Sequence, residues 1–241
     1  GQDAAILEVA QAALPRVKGT PVWASVASYG LSAAVAMPES LADRGAVIAA
    51  FEHEVRAVLA DSTLGLSGDD VSGVYISLLD AKQALKDSAA AREAAEAWSA
   101  HLDRAAARGK NAYERSVYDS HRLSAYLELG QPERAVPMLE AAERELPDDY
   151  NPPARLATAY RAMKQWDSAI AASDRALAKA YGPRRFLLWR TRAGIFSDRG
   201  DTAAARAALA SAIAEAEGMP EGQRSQRTID GFKKQLAELE K

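Results

Sequence analysis

Residues 116–183 read SVYDSHRLSAYLELGQPERAVPMLEAAERELPDDYNPPARLATAYRAMKQWDSAIAASDRALAKAYGP. Apolar residues recur here at the three- and four-residue spacing of an amphipathic helix, and no long stretch alternates at period two. The segment also repeats itself, since Tyr126 and Tyr160 are 34 residues apart, as are Ala135 and Ala169. A fixed period of this length is typical of helical arrays in which each unit stacks on the next.

The pattern continues beyond this stretch. Arg184 and Arg185 are two extra residues, so Phe196 follows Tyr160 by 36 residues. A single helical hairpin cannot bury its apolar face, so at least three copies must stack. The sequence supplies three copies, at 116–149, 150–183 and 186–219.

This pattern resembles the tetratricopeptide repeat family, whose units place a small residue and an aromatic in the first helix and two small residues in the second. The resemblance implies an all-α fold, a right-handed superhelical stack of antiparallel helical hairpins. The first repeat departs from the family pattern at Arg122 and Leu123, and the middle repeat departs from it at three positions. Pro153 and Ser173 stand where bulky aromatics are usual, and Tyr181 replaces a late proline.

The periodicity predicts about twelve helices, at approximately 2–14, 21–36, 40–60, 69–85, 88–107, 112–129, 132–146, 152–163, 166–181, 185–198, 202–217 and 221–240. Ser67, Asp87 and Asp201 are predicted N-caps, because their side chains can accept the free amide hydrogens of a first turn. Thr20 is predicted to cap the helix that starts at the following proline. Pro137 predicts a kink or a late helix start, since proline lacks an amide hydrogen.

Four regions are expected along the chain. The three repeats occupy the third region, and the final helix carries one apolar stripe with charges elsewhere, as a terminal helix of an array needs. The predicted regions are an N-terminal helical region without clear repeats (1–66), a degenerate helical hairpin (67–115), three tetratricopeptide repeats (116–219) and a C-terminal capping helix (220–241).

Composition excludes several function classes. The 241 residues carry a net charge of −3, which lacks the basic excess of a nucleic-acid-binding protein. The absence of cysteine excludes disulfides and thiol chemistry within this sequence. No apolar run is long enough to span a membrane. No signal peptide is recognised, but Gly1 as first residue suggests that a preceding region, with any signal, is missing. The compartment stays open: periplasmic or exported if a signal was removed, otherwise cytoplasmic.

No constellation of residues indicates catalysis. His53 begins an apparent zinc-protease motif, but Ala57 occupies the position of its second histidine. His101 and His121 are isolated on predicted helices. We therefore expect a non-enzymatic protein with no metal site and no cofactor.

A partner-binding groove is the expected functional site. In the family the first helix of each hairpin lines a concave face, and the resemblance carries this onto Ser120, Ser124, Leu127, Asn151, Thr158, Arg161, Arg190 and Ser197. Arg161 and Arg190 are candidates to pair with a carboxylate, because a guanidinium matches it with two parallel hydrogen bonds. One family subtype grips the C-terminal carboxylate of chaperones with lysines and asparagines. Of the matching positions here only Arg190 is basic, so this specific function is not expected.

Three functions are weighed on this basis. The favoured one is a scaffold that binds a protein or peptide of unknown identity. The second arises because residues 118–183 also resemble the repeat region behind a thioredoxin-type domain in some bacterial exported proteins. That resemblance implies an accessory region that positions substrates for a catalytic domain elsewhere. A free-standing enzyme is the least favoured function, and the oligomeric state is left open.

Overall fold

A computed structural model describes residues 2–239, and within that range the chain is helical without β-strands. Thirteen α-helices are present there, the sixth of only five residues, so the predicted all-helical fold of about twelve helices is confirmed. The chain divides into two compact units between Arg108 and Gly109. The predicted limits at 66/67, 115/116 and 219/220 stay predictions.

The first unit contains five helices: α1 (Gln2–Val17), α2 (Val22–Val35), α3 (Arg44–Ala60), α4 (Gly68–Ala84) and α5 (Ser88–Ala107). Helix α2 is central, packing on α1, α3 and α4. Gly30 permits its close approach to α3, because a Cβ at this position would lie 2.0 Å from the Phe51 ring. Trp98 of α5 is buried and donates from Nε1 to the Ser72 hydroxyl of α4 at 3.2 Å.

The second unit contains eight helices: α6 (Ala112–Ser116), α7 (Asp119–Glu128), α8 (Ala135–Glu145), α9 (Asn151–Ala162), α10 (Trp166–Lys179), α11 (Arg184–Arg199), α12 (Thr202–Glu217) and α13 (Gln226–Glu238). Consecutive helices from α7 to α12 form three hairpins, and the first helices α7, α9 and α11 are neighbours in space. Helix α13 packs on α12 and buries Ile229 and Phe232.

The repeat period has a direct counterpart in packing. Ala135, Ala169 and Ala205 lie within the first four residues of the second helices of the three hairpins, and none of them has any exposed surface. The matching aromatics differ: Tyr126 is buried, whereas Tyr160 and Phe196 are half-buried. The small residues near the start of each second helix therefore set how closely the two helices of a hairpin pack. The aromatics of the first helices fill spaces of unequal depth.

Three N-cap predictions are confirmed. The Ser67 hydroxyl accepts from the amide of Asp70, whose carboxylate accepts from the Ser67 amide. Asp87 and Asp201 accept from the third residue that follows each of them. Pro137 falls in the first turn of α8, which begins only after a 3-10 turn at 132–134, so the late helix start is confirmed.

Three local predictions are wrong. The hydroxyl of Thr20 donates back to the Val17 carbonyl instead of capping α2. The helix predicted at 112–129 is split into α6 and α7, because the chain turns at Val117 and Tyr118. The last helix begins at Gln226 rather than at residue 221, since Ser225 is the residue whose hydroxyl caps it.

Candidate functional site

The eight predicted groove residues all lie on the first helices of the three hairpins. Ser124, Arg190 and Ser197 are exposed, and the other five are half-buried. None is completely buried, so every one of them has surface that faces solvent. Their position on α7, α9 and α11 follows from the repeat, which puts equivalent residues on neighbouring helices.

Three of these residues come together in one concavity. Leu127, Thr158 and Arg161 line a space of about 620 Å³ on the surface of the second unit. The remaining lining side chains are those of Ala162, Lys164, Trp166 and Asp198. Ser120, Ser124, Asn151, Arg190 and Ser197 do not line this space.

Arg161 already has a carboxylate partner within the chain. Its Nε donates to Oδ2 of Asp198 at 2.7 Å, which joins α9 to α11. Sequence reasoning selected Arg161 as a carboxylate-binding residue but missed Asp198. The available signal was spacing, since Asp198 lies four residues after Gly194 and so on the same face of α11.

Gly194 explains why the guanidinium can lie where it does. A Cβ at this position would be 2.5 Å from Nη1 of Arg161 and 2.8 Å from its Nη2. Such distances are shorter than real contacts allow, so any side chain at 194 would displace the guanidinium. The absence of a side chain at Gly194 therefore leaves the space that the Arg161 guanidinium of the neighbouring helix occupies.

The small polar side chains of the groove are mostly engaged locally. The Ser124 hydroxyl donates to the Ser120 carbonyl at 3.1 Å, and the Thr158 hydroxyl donates to the Ala154 carbonyl at 3.4 Å. Asn151 donates through its side-chain amide to the Asp149 carboxylate at 2.8 Å. These hydroxyls keep acceptor capacity toward solvent, whereas the Asn151 side chain belongs mainly to the turn before α9.

Arg190 has no polar partner among the described residues of the chain. It is exposed, and among residues 2–239 it has no hydrogen bond or ion pair. One turn earlier on the same helix, Leu187 exposes 57% of its surface. An exposed leucine beside an unpaired arginine is a surface suited to contact with another molecule.

A buried carboxylate lies at the start of α7. Burial raises the pKa of Asp119 to about 6, although the nearby Arg122 and Arg155 guanidinium groups oppose this increase. The Asp119 carboxylate is 3.6 Å from Nη1 of Arg122. Burial also lowers the pKa of Arg155, which the Asp119 charge partly offsets. This cluster links α7 to α9 electrostatically.

The first unit has surface clefts of its own, and two of them differ clearly in polarity. One is lined by serines of α2 and by Asp69, Asp70 and Asp80 of α4. The other is lined almost wholly by apolar side chains of α1 and α2, including the exposed Val9 and Tyr29.

The described range also bears on metal binding and on membrane insertion. Within residues 2–239, no group of three histidine, cysteine, aspartate or glutamate side chains is placed to hold a metal ion. No helix in that range has both the length and the apolarity needed to cross a membrane. His101 packs 6.0 Å from the Tyr75 ring, and burial lowers its pKa.

Comparison with known families agrees with this geometry. Residues 126–187 match the family described as tetratricopeptide repeat. This stretch is therefore similar to tetratricopeptide repeats. The match begins within α7, covers α8 to α10 and ends in α11, so it includes the whole of the middle hairpin. The chain matches no curated protein.

The match leaves parts of the prediction untested. It covers neither the start of the first predicted repeat at 116–125 nor most of the third at 186–219. The resemblance of residues 118–183 to repeats behind a thioredoxin-type domain stays a prediction. Tetratricopeptide repeats are typically non-catalytic interaction modules, which supports a protein partner in general terms.

Proposed function

We propose that this chain is a non-catalytic scaffold that binds a protein or peptide along the solvent-facing surface of α7, α9 and α11. The observation that carries the proposal is the concavity between neighbouring first helices of a tetratricopeptide repeat region, lined by Leu127, Thr158 and Arg161. It combines the apolar surfaces of Leu127 and Trp166 with three charged side chains that can orient a ligand.

The exposed groove residues outside the concavity extend this surface. Ser124, Arg190 and Ser197 lie on the same three helices and have solvent-facing surface. An extended partner would contact successive repeats through equivalent positions. Many individually weak contacts would together give specific binding. No single residue is required to dominate the affinity.

The test is affinity capture with a variant that obstructs the groove. Ser124→Arg with Ser197→Arg adds two long side chains to the exposed surfaces of α7 and α11. Ala171→Arg with Ala207→Arg is the matched control, since both alanines are exposed on the second helices α10 and α12. Each double variant adds the same charge, and circular dichroism should show equal helicity.

We expect a partner captured by the wild-type chain from the native host to be depleted by the groove variant at least about tenfold, a loss of roughly 1.4 kcal/mol. The control variant should retain it. If both variants retain the partner equally, the groove assignment is wrong. A captured protein with a Cys-x-x-Cys motif would favour the alternative role as a substrate-positioning region of a thioredoxin-type enzyme.

A further inference from the structure

Most of the hydrogen-bonding capacity of Arg161 is unused. A guanidinium has five N–H donors, and here only Nε is engaged, by Asp198 at 2.7 Å. The outer edge formed by Nη1 and Nη2 has no hydrogen-bond acceptor among residues 2–239. This edge matches the two oxygens of a carboxylate, which it can bind through parallel hydrogen bonds.

The guanidinium is also held in place. Asp198 fixes one edge, and Gly194 offers a flat surface on which the group rests. A side chain that is already positioned loses less conformational entropy when a ligand binds. Arg161 is therefore prepared to accept a second anionic group without a large rearrangement.

Lys164 adds a second cation to the same concavity. Its side chain is exposed and lacks an ion-pair partner within the described residues. The backbone holds it at the end of α9 with φ of 58°, where its amide donates to the Arg161 carbonyl at 2.9 Å. Two cationic side chains and one carboxylate thus line the concavity, which favours an anionic occupant.

Apart from Thr158, the rest of the lining is apolar. Leu127 and Trp166 are half-buried and pack against the core beneath them, so their exposed surfaces have fixed positions. An anionic group bound at Arg161 would share the concavity with these two apolar surfaces. This arrangement suits an acidic residue with apolar neighbours more than it suits a fully hydrated anion.

We propose that the concavity is a subsite for an acidic side chain of a bound peptide. Its carboxylate sits on the Nη1–Nη2 edge of Arg161, and adjacent apolar side chains contact Leu127 and Trp166. The inference rests on the proposed function and names the partner chemistry at one point of the groove. Asp198 then has two roles, since it orients Arg161 and also repels the incoming carboxylate.

The test uses the full chain and three labelled peptides in fluorescence anisotropy. The peptides share a Ser-Leu-Xaa-Leu-Ser core within twelve residues, and Xaa is Glu, Gln or Lys. We expect the Glu peptide to bind about tenfold more tightly than the Gln peptide and the Lys peptide to bind most weakly. Equal binding of the Glu and Gln peptides, or no binding of any of them, would overturn the subsite.

Three variants separate this site from a general effect of charge. Arg161→Gln should reduce the preference for Glu over Gln to twofold or less. Arg199→Gln is the matched control, because Arg199 also pairs across helices, 3.1 Å from Asp167, but lies outside the concavity. The Arg199→Gln variant should keep the wild-type preference for the Glu peptide over the Gln peptide. If Arg199→Gln removes the preference as fully as Arg161→Gln does, the carboxylate is attracted by general charge and the subsite is rejected.

Asp198→Asn gives the most specific readout. It keeps an oxygen that can accept from Nε while it removes the repelling charge. We expect the Glu peptide to bind more tightly to this variant than to the wild-type chain, with little change for the Gln peptide. Unchanged or weaker binding of the Glu peptide contradicts the proposal. The capture experiment probes the groove at Ser124 and Ser197, so the failure of the subsite is distinguishable from the failure of the scaffold function.

Discussion

At the scale of single residues, the site depends on the contact between Arg161 and Asp198, which no short sequence pattern predicts. The repeat spacing placed Arg161 on a first helix, and the family resemblance placed it on the predicted groove face. Its partner Asp198 is 37 positions away, so only the packing of α9 on α11 brings the two side chains together. Residue types alone therefore indicated a candidate cation but not the carboxylate that already occupies one of its edges.

Gly194→Ala separates stability from binding. Replacing glycine inside a helix with alanine stabilises by about 1 kcal/mol, whereas the exposed Arg161–Asp198 pair contributes roughly 0–1 kcal/mol. We expect the free energy of unfolding, measured with urea, to be unchanged or slightly higher. The added Cβ should displace the guanidinium and reduce the binding of the Glu peptide. A loss of more than about 2 kcal/mol in stability would contradict this, because it would mean that the neighbouring backbone cannot adjust.

Asp119 predicts a specific pH dependence. Its folded pKa of about 6 lies above the ordinary aspartate value of 3.8, so the folded state holds the proton more tightly than the unfolded state. This stabilising contribution is complete below the unfolded pKa and is lost as the pH rises through 6. We expect the stability of the wild-type chain, relative to Asp119→Asn, to fall by about 2–3 kcal/mol between pH 4 and pH 7. Parallel profiles for the two proteins would show that the carboxylate is not buried.

The aromatic positions of the repeat should differ in energetic weight. Tyr126 is 2% exposed, so Tyr126→Ala should cost about 3–5 kcal/mol. Tyr160 is half-buried and its hydroxyl donates to Glu140 at 3.0 Å, so Tyr160→Ala should cost less. Denaturant unfolding of the two variants measures this. An equal or larger loss for Tyr160→Ala would contradict the packing described for the first two hairpins.

At the scale of helices, the side-chain chemistry predicted a helix start correctly where the capping side chain had one suitable partner. Asp87 and Asp201 cap helices because the amide three residues ahead is free and close. The cap predicted at Thr20 was wrong because its hydroxyl donates to another group, the Val17 carbonyl at 2.7 Å. The break between α6 and α7 was also hidden, since residues 112–129 are compatible with one continuous helix.

The cap of α12 can be tested directly. Asp201→Ala removes the acceptor for the Ala204 amide, which lies 3.0 Å from the carboxylate. We expect a loss of about 1 kcal/mol in the free energy of unfolding. Asp201→Asn keeps an oxygen acceptor and should cost much less. If the two substitutions cost the same, the stabilising effect comes from charge at the helix start and not from the hydrogen bond.

At the scale of the whole molecule, the sequence predicted the helical class and the repeat because both arise from short-range periodicity. A period of 34 residues fixes which helices pair and which faces are buried, whatever the surface residues are. The surface is less constrained. Lys164 and Trp166 line the concavity, yet neither has a repeat position that marked it in advance. The division between Arg108 and Gly109 likewise depends on packing between distant segments.

The central claim is that the first helices, and not the second helices, form the binding surface. Site-specific photo-crosslinking tests it most directly. A benzophenone side chain is placed at Ser124 of α7 or at Ala171 of α10, both of which are exposed. The account predicts that a partner captured from the native host crosslinks from position 124 and not from position 171. Crosslinking from position 171 alone would contradict it.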